Sequence, residues 1–227
     1  MSRGVFVTGT DTGVGKTVAA CALIEALKRN GIAAHPFKPI AAGAIERGGR
    51  WMNDDTIALM AAAGFDESAA TRVTPILLRE PMAPHIAALR EGRSIAIDEV
   101  RRAFDSIGDS FVVAEGVGGF RVPLGDGVDT VDLCRALGLP VVMVVGLRLG
   151  CLNHALLTAQ AIEAARMPLA GWIANAIDPA MPVVEENVAA LQSRLDAPLL
   201  GRLPFKPNAN AVELAPFLDV APLLPNE

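Results

Sequence analysis

Three classes of function lose their footing on what this 227-residue sequence lacks. Cysteine is scarce: Cys21, Cys134 and Cys151 lie far apart in apolar, helix-like patterns. They offer neither metal-ligand spacing nor a disulfide framework, a usage that suits a reducing cytosol. No basic stripe appears and the net charge is −5, which argues against nucleic acid as a partner. No apolar run reaches the ~18 residues that a membrane-spanning helix needs. The first apolar strand begins within a few residues of Met1, leaving no room for a signal peptide, so a cytoplasmic location is expected. Internal repeats and low-complexity linkers are absent too. With 52% hydrophobic and 20% charged residues, the chain reads as one large folded α/β domain with a real core.

What is present is concentrated in Thr8-Gly9-Thr10-Asp11-Thr12-Gly13-Val14-Gly15-Lys16-Thr17-Val18. Val5-Phe6-Val7 leads in as a strand, and a helix-like run to Arg29 leads out. Strand, glycine-rich turn, Gly-Lys-Thr and helix form the context of a phosphate-binding loop. Its glycines let successive N–H groups converge on one anion, and the helix N-terminus adds its positive dipole end. Lys16 is placed to reach the β/γ-phosphates and the Thr17 hydroxyl to ligate Mg²⁺. Gly9 falls one residue earlier than the usual first glycine, so the loop reads as one residue longer than the common pattern.

Further along, Ala33 to Phe37 reads as a strand that stops at Lys38-Pro39. Lys38 is either a solvated lysine or a second cation facing phosphate at a strand C-terminus, where ligands of parallel sheets gather. Asn53-Asp54-Asp55 opens a helical pattern; the aspartates are caps or supply oxygen to Mg²⁺. Residues 71–95 read as loop-rich, with Glu80-Pro81-Met82-Ala83-Pro84-His85 as a wall or lid and His85 as a structural residue. After a helix over 97–104, the apolar strand Phe111–Ala114 ends in Glu115-Gly116-Val117-Gly118-Gly119, a strand-end acid or a Walker-B-like metal ligand. Asp129 caps a helix to Leu137. Val141–Val145 is a buried strand ending at Gly146, and Gly150-Cys151-Leu152-Asn153-His154 opens a helix to about Arg166, a second potential anion site. A strand over 169–174 ends at Asn175-Ala176; an amphipathic helix spans 182–195; Leu199-Leu200 is a short strand, and Leu203-Pro204-Phe205 begins an irregular tail over 203–227. The alternation predicts a single-domain α/β, P-loop NTPase-like fold, a mostly parallel sheet with helices on both faces. The singled-out polar groups then share one rim.

Read together, FVTGTDTGVGKT, Lys38-Pro39, the Asp55 region, Glu80-Pro81…Pro84-His85, Glu115–Gly119, Gly150–His154, Ala170–Asn175 and Ala197–Gly201 resemble the dethiobiotin synthetases, in that family's order and over most of the chain. The resemblance implies a ligase of biotin biosynthesis that uses ATP, CO₂ and 7,8-diaminononanoate. It implies Mg²⁺ on Thr17, Asp55 and Glu115, and catalysis by Lys16, Lys38 and Thr12. Phosphate falls to the loop from Gly13 through Val14, Gly15, Lys16 and Thr17 to Val18, and the nucleotide also to Gly116, Val117 and Gly118. Adenine goes to Asn175 and Ala176 and to the Leu203-Pro204-Phe205 tail. The family is a homodimer with the substrate at the interface, which assigns Gly150, Cys151, Leu152 and Asn153 to the substrate carboxylate, from the partner subunit. Some members carry Glu at Gly13 and Ser at Ala42. Both positions lack those side chains here, so altered substrate affinity is expected and not lost activity; Glu46 or backbone carbonyls are candidates to compensate.

Three other readings share parts of this pattern. Partitioning-type ATPases carry an extra lysine early in the loop, where Asp11 stands, and a basic amphipathic membrane helix, which is lacking here. An amidoligase of the cobyrinic-acid type would bring a glutaminase domain, for which 227 residues leave no length. A regulatory nucleotide-binding module would hold ATP without diamine-dependent turnover.

Overall fold

In the computed structural model, which describes residues 4–224, β1 (Gly4–Gly9) runs into the glycine-rich loop and then α1 (Lys16–Arg29). β2 (Ala34–Phe37), β3 (Ile40–Ala42), β4 (Ile45–Arg47) and β5 (Arg50–Met52) precede α2 (Asp54–Ala63). Then come α3 (Ala70–Val73), β6 (Ile76–Leu78), α4 (Pro84–Arg90), α5 (Ile97–Asp105) and β7 (Phe111–Glu115). β8 (Pro123–Gly125) and β9 (Val128–Asp129) lead to α6 (Thr130–Leu137), β10 (Val141–Leu147) and α7 (Cys151–Ala164). β11 (Leu169–Ala176), α8 (Val184–Gln192), β12 (Leu199–Leu203) and α9 (Ala211–Leu214) complete the named elements.

Six strands form one parallel sheet in the order β12-β11-β10-β1-β7-β2. Parallel neighbours need crossovers, so helices cover both faces and the strands read as apolar runs. Alternation divides β1 between two cores: Val5 and Val7 pack with α1 on one face, and Phe6 joins α5, α6 and α7 on the other. Register then assembles the rim. Val7 pairs with Glu115 and Phe37 with Ala114, which sets Lys38 beside Glu115. Gly9 lies beside Val144, Gly146 beside Asn175, and Asn175 beside Leu203. β1 sits where the chain order turns, and a crevice outside the strand ends is expected there.

Several boundaries differ from the sequence reading. Residues 71–95 hold most of α3, all of β6 and all of α4, each too short to show a period; β6 pairs with β3 in parallel. β10 passes through Gly146 to Leu147. Gly146 marks a close approach and not a strand end, because a Cβ there would meet Ile177 Cδ1 at 2.6 Å and Val14 Cβ at 3.0 Å. β11 continues to Ala176 and β12 to Leu203. α7 stops at Ala164, two residues before Arg166 adopts φ 58°. α8 is shorter than its pattern, since Val183 precedes it at φ 49° and Leu195 is buried from the following turn. The tail is partly regular: α9 and a 3₁₀ turn at Ala215–Phe217 fold back on α1, and a second 3₁₀ turn at Ala221–Leu223 packs beside β11. Residues 1–3 and 225–227, the latter closing the tail expected over 203–227, lie outside the described residues.

Candidate nucleotide and substrate site

The loop between β1 and α1 is built around two positive-φ glycines. Gly15 (φ 83°) is the residue before α1, and a Cβ there would stand 2.1 Å from Asn175 Nδ2. That amide donates to the Val14 carbonyl at 2.9 Å, so β11 clamps the loop from beneath. Gly13 (φ 75°) has open space where its Cβ would be. The Lys16 ammonium donates to the Asp11 carbonyl at 3.0 Å. Burial holds its pKa below the usual lysine value; Glu115 opposes that shift and Lys38 adds to it.

Thr17, Lys38, Asp55 and Glu115 form one cluster. The Thr17 hydroxyl lies 2.9 Å from both Asp55 Oδ1 and Glu115 Oε1; with a single proton it can donate fully to only one. Lys38 Nζ is 2.5 Å from Glu115 Oε1, 3.0 Å from Asp55 Oδ2 and 3.2 Å from the Gly116 carbonyl. Lys38 is 3% exposed and Glu115 1%, so Lys38 is a buried cation and not a solvated lysine. Burial alone would lower its pKa, but the Glu115 and Asp55 carboxylates outweigh that and hold it above the ordinary value. Burial would likewise raise the Asp55 carboxyl; Lys38 and the Thr17 hydroxyl hold it below.

Asp55 is free for this cluster because Asn53, and neither aspartate, caps α2. Asn53 Oδ1 accepts the Asp55 N–H at 3.0 Å, and its Nδ2 donates to the Ala42 and Gly43 carbonyls at 3.2 Å each. Asp54 points elsewhere, to Arg47 at 3.2 Å. The sequence showed the Asn-Asp-Asp run, but which of the three caps is settled by packing.

These groups line a cavity of about 730 Å³. Thr12, Gly13, Gly15, Lys16, Thr17 and Val18 line it with Lys38, Asp55 and Glu115; its apolar lining includes Ala42, Met82, Val117 and Val122, beside Gly118. Pro81 to Pro84 do form a wall, with the last residue opening α4. His85 Nδ1 lies 3.1 Å from the Pro123 carbonyl, a structural tie. Glu46 is exposed on β4, opposite Trp51, and does not line the cavity. Gly116 runs close over Phe6, where a Cβ would be 2.9 Å from the ring. Asn175, Ala176 and Leu203-Pro204-Phe205 lie outside this cavity, as do Gly150, Cys151, Leu152 and Asn153. The Leu203 side chain belongs to the core under α1, which leaves its backbone and the exposed Pro204 and Phe205 for any ligand. A second cavity of about 420 Å³ begins at Thr17 and Val18 and runs between α1, α2 and the tail at Ala209–Leu214.

The donor set fits a hard divalent cation shared with phosphates, which takes one or two carboxylates and keeps other positions open. Two carboxylates flank one hydroxyl, and Glu115 Oε2 is buried without a hydrogen-bond partner, an arrangement a cation would satisfy. Cys21 and Cys134 take no part: burial pushes both thiols up to about 12, and all three cysteines are free.

A phosphate loop between a central parallel strand and its helix, with an acid ending the adjacent strand, defines a P-loop nucleotide-binding protein. A family model described as an AAA domain matches residues 3–213. A ParA family ATPase from Chlorobium tepidum has the same fold, at TM-score 0.53 and 16% identity over 98% of this chain and 99% of that one. The ATP-dependent dethiobiotin synthetase BioD of Aromatoleum aromaticum is 52% identical over 95% of this chain and 96% of its own length. That of Nitrosospira multiformis is 50% identical over 97% and 96%. The chain belongs to the dethiobiotin synthetase family.

Proposed function

We propose that this chain carboxylates and closes 7,8-diaminononanoate to dethiobiotin, using CO₂ and Mg·ATP and releasing ADP and phosphate. ATP-dependent dethiobiotin synthesis follows from identity of 50% and more over nearly the whole chain. The observation that carries the residue assignments is the convergence of Lys16, Thr17, Lys38, Asp55 and Glu115 on one cavity that apolar residues also line.

One amine of the substrate adds to CO₂, losing a proton, and becomes a carbamate. A carbamate oxygen attacks the γ-phosphorus as the bond to the ADP oxygen breaks, giving a carbamic-phosphoric anhydride. The second amine attacks the carbamoyl carbon; the C–O bond to phosphate breaks, the amine loses its proton, and the ring is closed. A carbamate approaching a polyanion needs cations set in advance, since phosphoryl transfer is mostly positioning and charge neutralisation. Lys16 leaves the Asp11 carbonyl for the β/γ-phosphates. Mg²⁺ held by Thr17, Asp55 and Glu115 would neutralise charge on the phosphate oxygens. Lys38, whose two carboxylates would also hold that metal, turns its ammonium to the carbamate and γ-phosphate. Thr12 and the amides of Gly13 to Val18 hold phosphate, with Gly116, Val117 and Gly118 closing the opposite side. Asn175 retains one N–H and its carbonyl for adenine, since only one N–H is engaged by Val14. Ala176 and Leu203 to Phe205 border the base, and the cavity beside Ala209–Leu214 supports a nucleotide path toward the tail.

The second subunit belongs to the same reading. Gly150 to Asn153 open α7 yet lie outside this chain's own cavity, and the neighbouring Leu149 is 91% exposed. A partner docked there would receive the helix N-terminus as a carboxylate site. The buried free cysteines support a reducing cytoplasm, and no helix among the described residues is long and apolar enough to cross a membrane.

Phosphate release from Mg·ATP with bicarbonate, measured with and without 7,8-diaminononanoate, tests the proposal. Release that requires the diamine and yields dethiobiotin by mass spectrometry is expected. Diamine-independent hydrolysis, or none with folded protein, would overturn it.

A further inference from the structure

Asp11 is a carboxylate inside an anion-binding loop, a placement that by charge alone opposes an incoming triphosphate. Three contacts manage it. Asp11 Oδ1 accepts the Thr12 N–H at 2.7 Å, its backbone carbonyl holds the Lys16 ammonium at 3.0 Å, and Oδ2 takes the Arg148 guanidinium at 2.5 Å. Arg148 comes from the turn between β10 and α7, where its own carbonyl accepts the Cys151 N–H at 3.0 Å. That turn leads directly into Gly150–Asn153. His154 lies on the first turn of α7. The Thr12 N–H, Arg148 and His154 together hold Asp11 below the usual carboxylate range against its partial burial.

We infer that Arg148 is a positioning residue for the phosphate loop: it cancels the Asp11 charge, fixes the carbonyl from which Lys16 is released, and ties the loop to the Gly150–Asn153 turn. Neither partner lines the catalytic cavity, so the effect on substrate is indirect. In the dimer proposed above, the bridge joins a loop serving one site to a turn serving the other. That second part rests on the dethiobiotin synthetase reading; the nucleotide part does not.

The pair is half exposed, with side-chain exposures of 41% and 45%, so Arg148→Ala leaves no buried charge and the variant is expected to fold, as thermal melting will show. Calorimetric titration with Mg·ATP should find binding weakened about fivefold in Arg148→Ala, the scale of an exposed ion pair, and largely restored in Arg148→Lys. In an Asp11→Asn background the same substitution should change binding less than about twofold, because the charge it answers is gone. Steady-state kinetics of Arg148→Ala should also show a raised KM for 7,8-diaminononanoate. Equal losses of Mg·ATP binding with Asp11 present and with Asp11→Asn would overturn the assignment. So would unchanged Mg·ATP binding beside a raised diamine KM, which would make Arg148 a direct reader of the substrate carboxylate. Failure of the wider reading looks different: wild-type protein would then show no diamine-dependent turnover at all, while the nucleotide arm would stand.

Discussion

At the scale of single residues, Lys38 carries two duties that pull in the same direction. In the ligand-free geometry it is the cation between Glu115 and Asp55; in the reaction it is proposed to face the carbamate and γ-phosphate. Removing one partner of a buried pair leaves the other charge uncompensated, at a cost of about 3–5 kcal/mol. Lys38→Ala should therefore melt well below wild type in metal-free buffer, and Mg·ATP should recover part of the loss by giving the Glu115 and Asp55 oxygens another cation. Turnover should fall about 10²-fold or more even with Mg·ATP saturating, since charge stabilisation at the transition state is what is lost. Near-wild-type turnover would reduce Lys38 to a structural ion-pair partner. Parallel melting curves and phosphate-release assays make both readings from one preparation.

At the scale of elements, the loop and the start of α2 show how local geometry selects residues. Gly13 and Gly15 both adopt positive φ, but only Gly15 has a neighbour in its way. Gly13→Ala should cost about 1–2 kcal/mol of backbone strain and leave Mg·ATP binding measurable by calorimetry. Gly15→Ala must move Asn175 or the loop itself, and should abolish that binding. At α2, Asn53→Ala removes a cap worth about 1 kcal/mol along with both bonds to the Ala42 and Gly43 carbonyls. It should lower the melting temperature and raise the KM for ATP, because the Asp55 N–H loses its anchor; an unchanged KM would mean that Asp55 holds its place without the cap. The glycine loop and the apolar parallel strands were legible because period, composition and spacing are properties of contiguous residues. The adjacency of Lys38 and Glu115 was legible only as two strand ends, since register must make neighbours of residues 77 positions apart. Arg148 was invisible for the same reason: an exposed arginine in a turn carries no signal until the fold sets it 2.5 Å from Asp11. β3, β4, β5 and β6 escaped because three residues each are too few to show alternation.

At the scale of the whole molecule, fold likeness and function part company. The ParA family ATPase shares the architecture at 16% identity, while the sequence of this chain places it with the dethiobiotin synthetases. Apolar residues such as Met82, Val117 and Val122 line its cavity beside the charged groups. The cavity, however, lacks a cation reserved for the substrate's carboxylate: Lys16 and Lys38 are its only lysines or arginines among the described residues, and both are proposed to face phosphate. The start of α7, proposed above as the carboxylate site, lies outside that cavity, beside the exposed Leu149 and with Leu157 also exposed along the helix. Leu149 in the turn before α7 and Leu157 on α7 are both exposed, and pairing two copies over them would cover both while delivering Gly150–Asn153 to the partner. Sedimentation velocity should then find a dimer. Leu157→Glu should shift it to monomer and abolish diamine-dependent phosphate release while Mg·ATP binding persists, since every proposed phosphate and metal ligand belongs to one chain. A fully active Leu157→Glu monomer would show that the carboxylate is held within a single subunit.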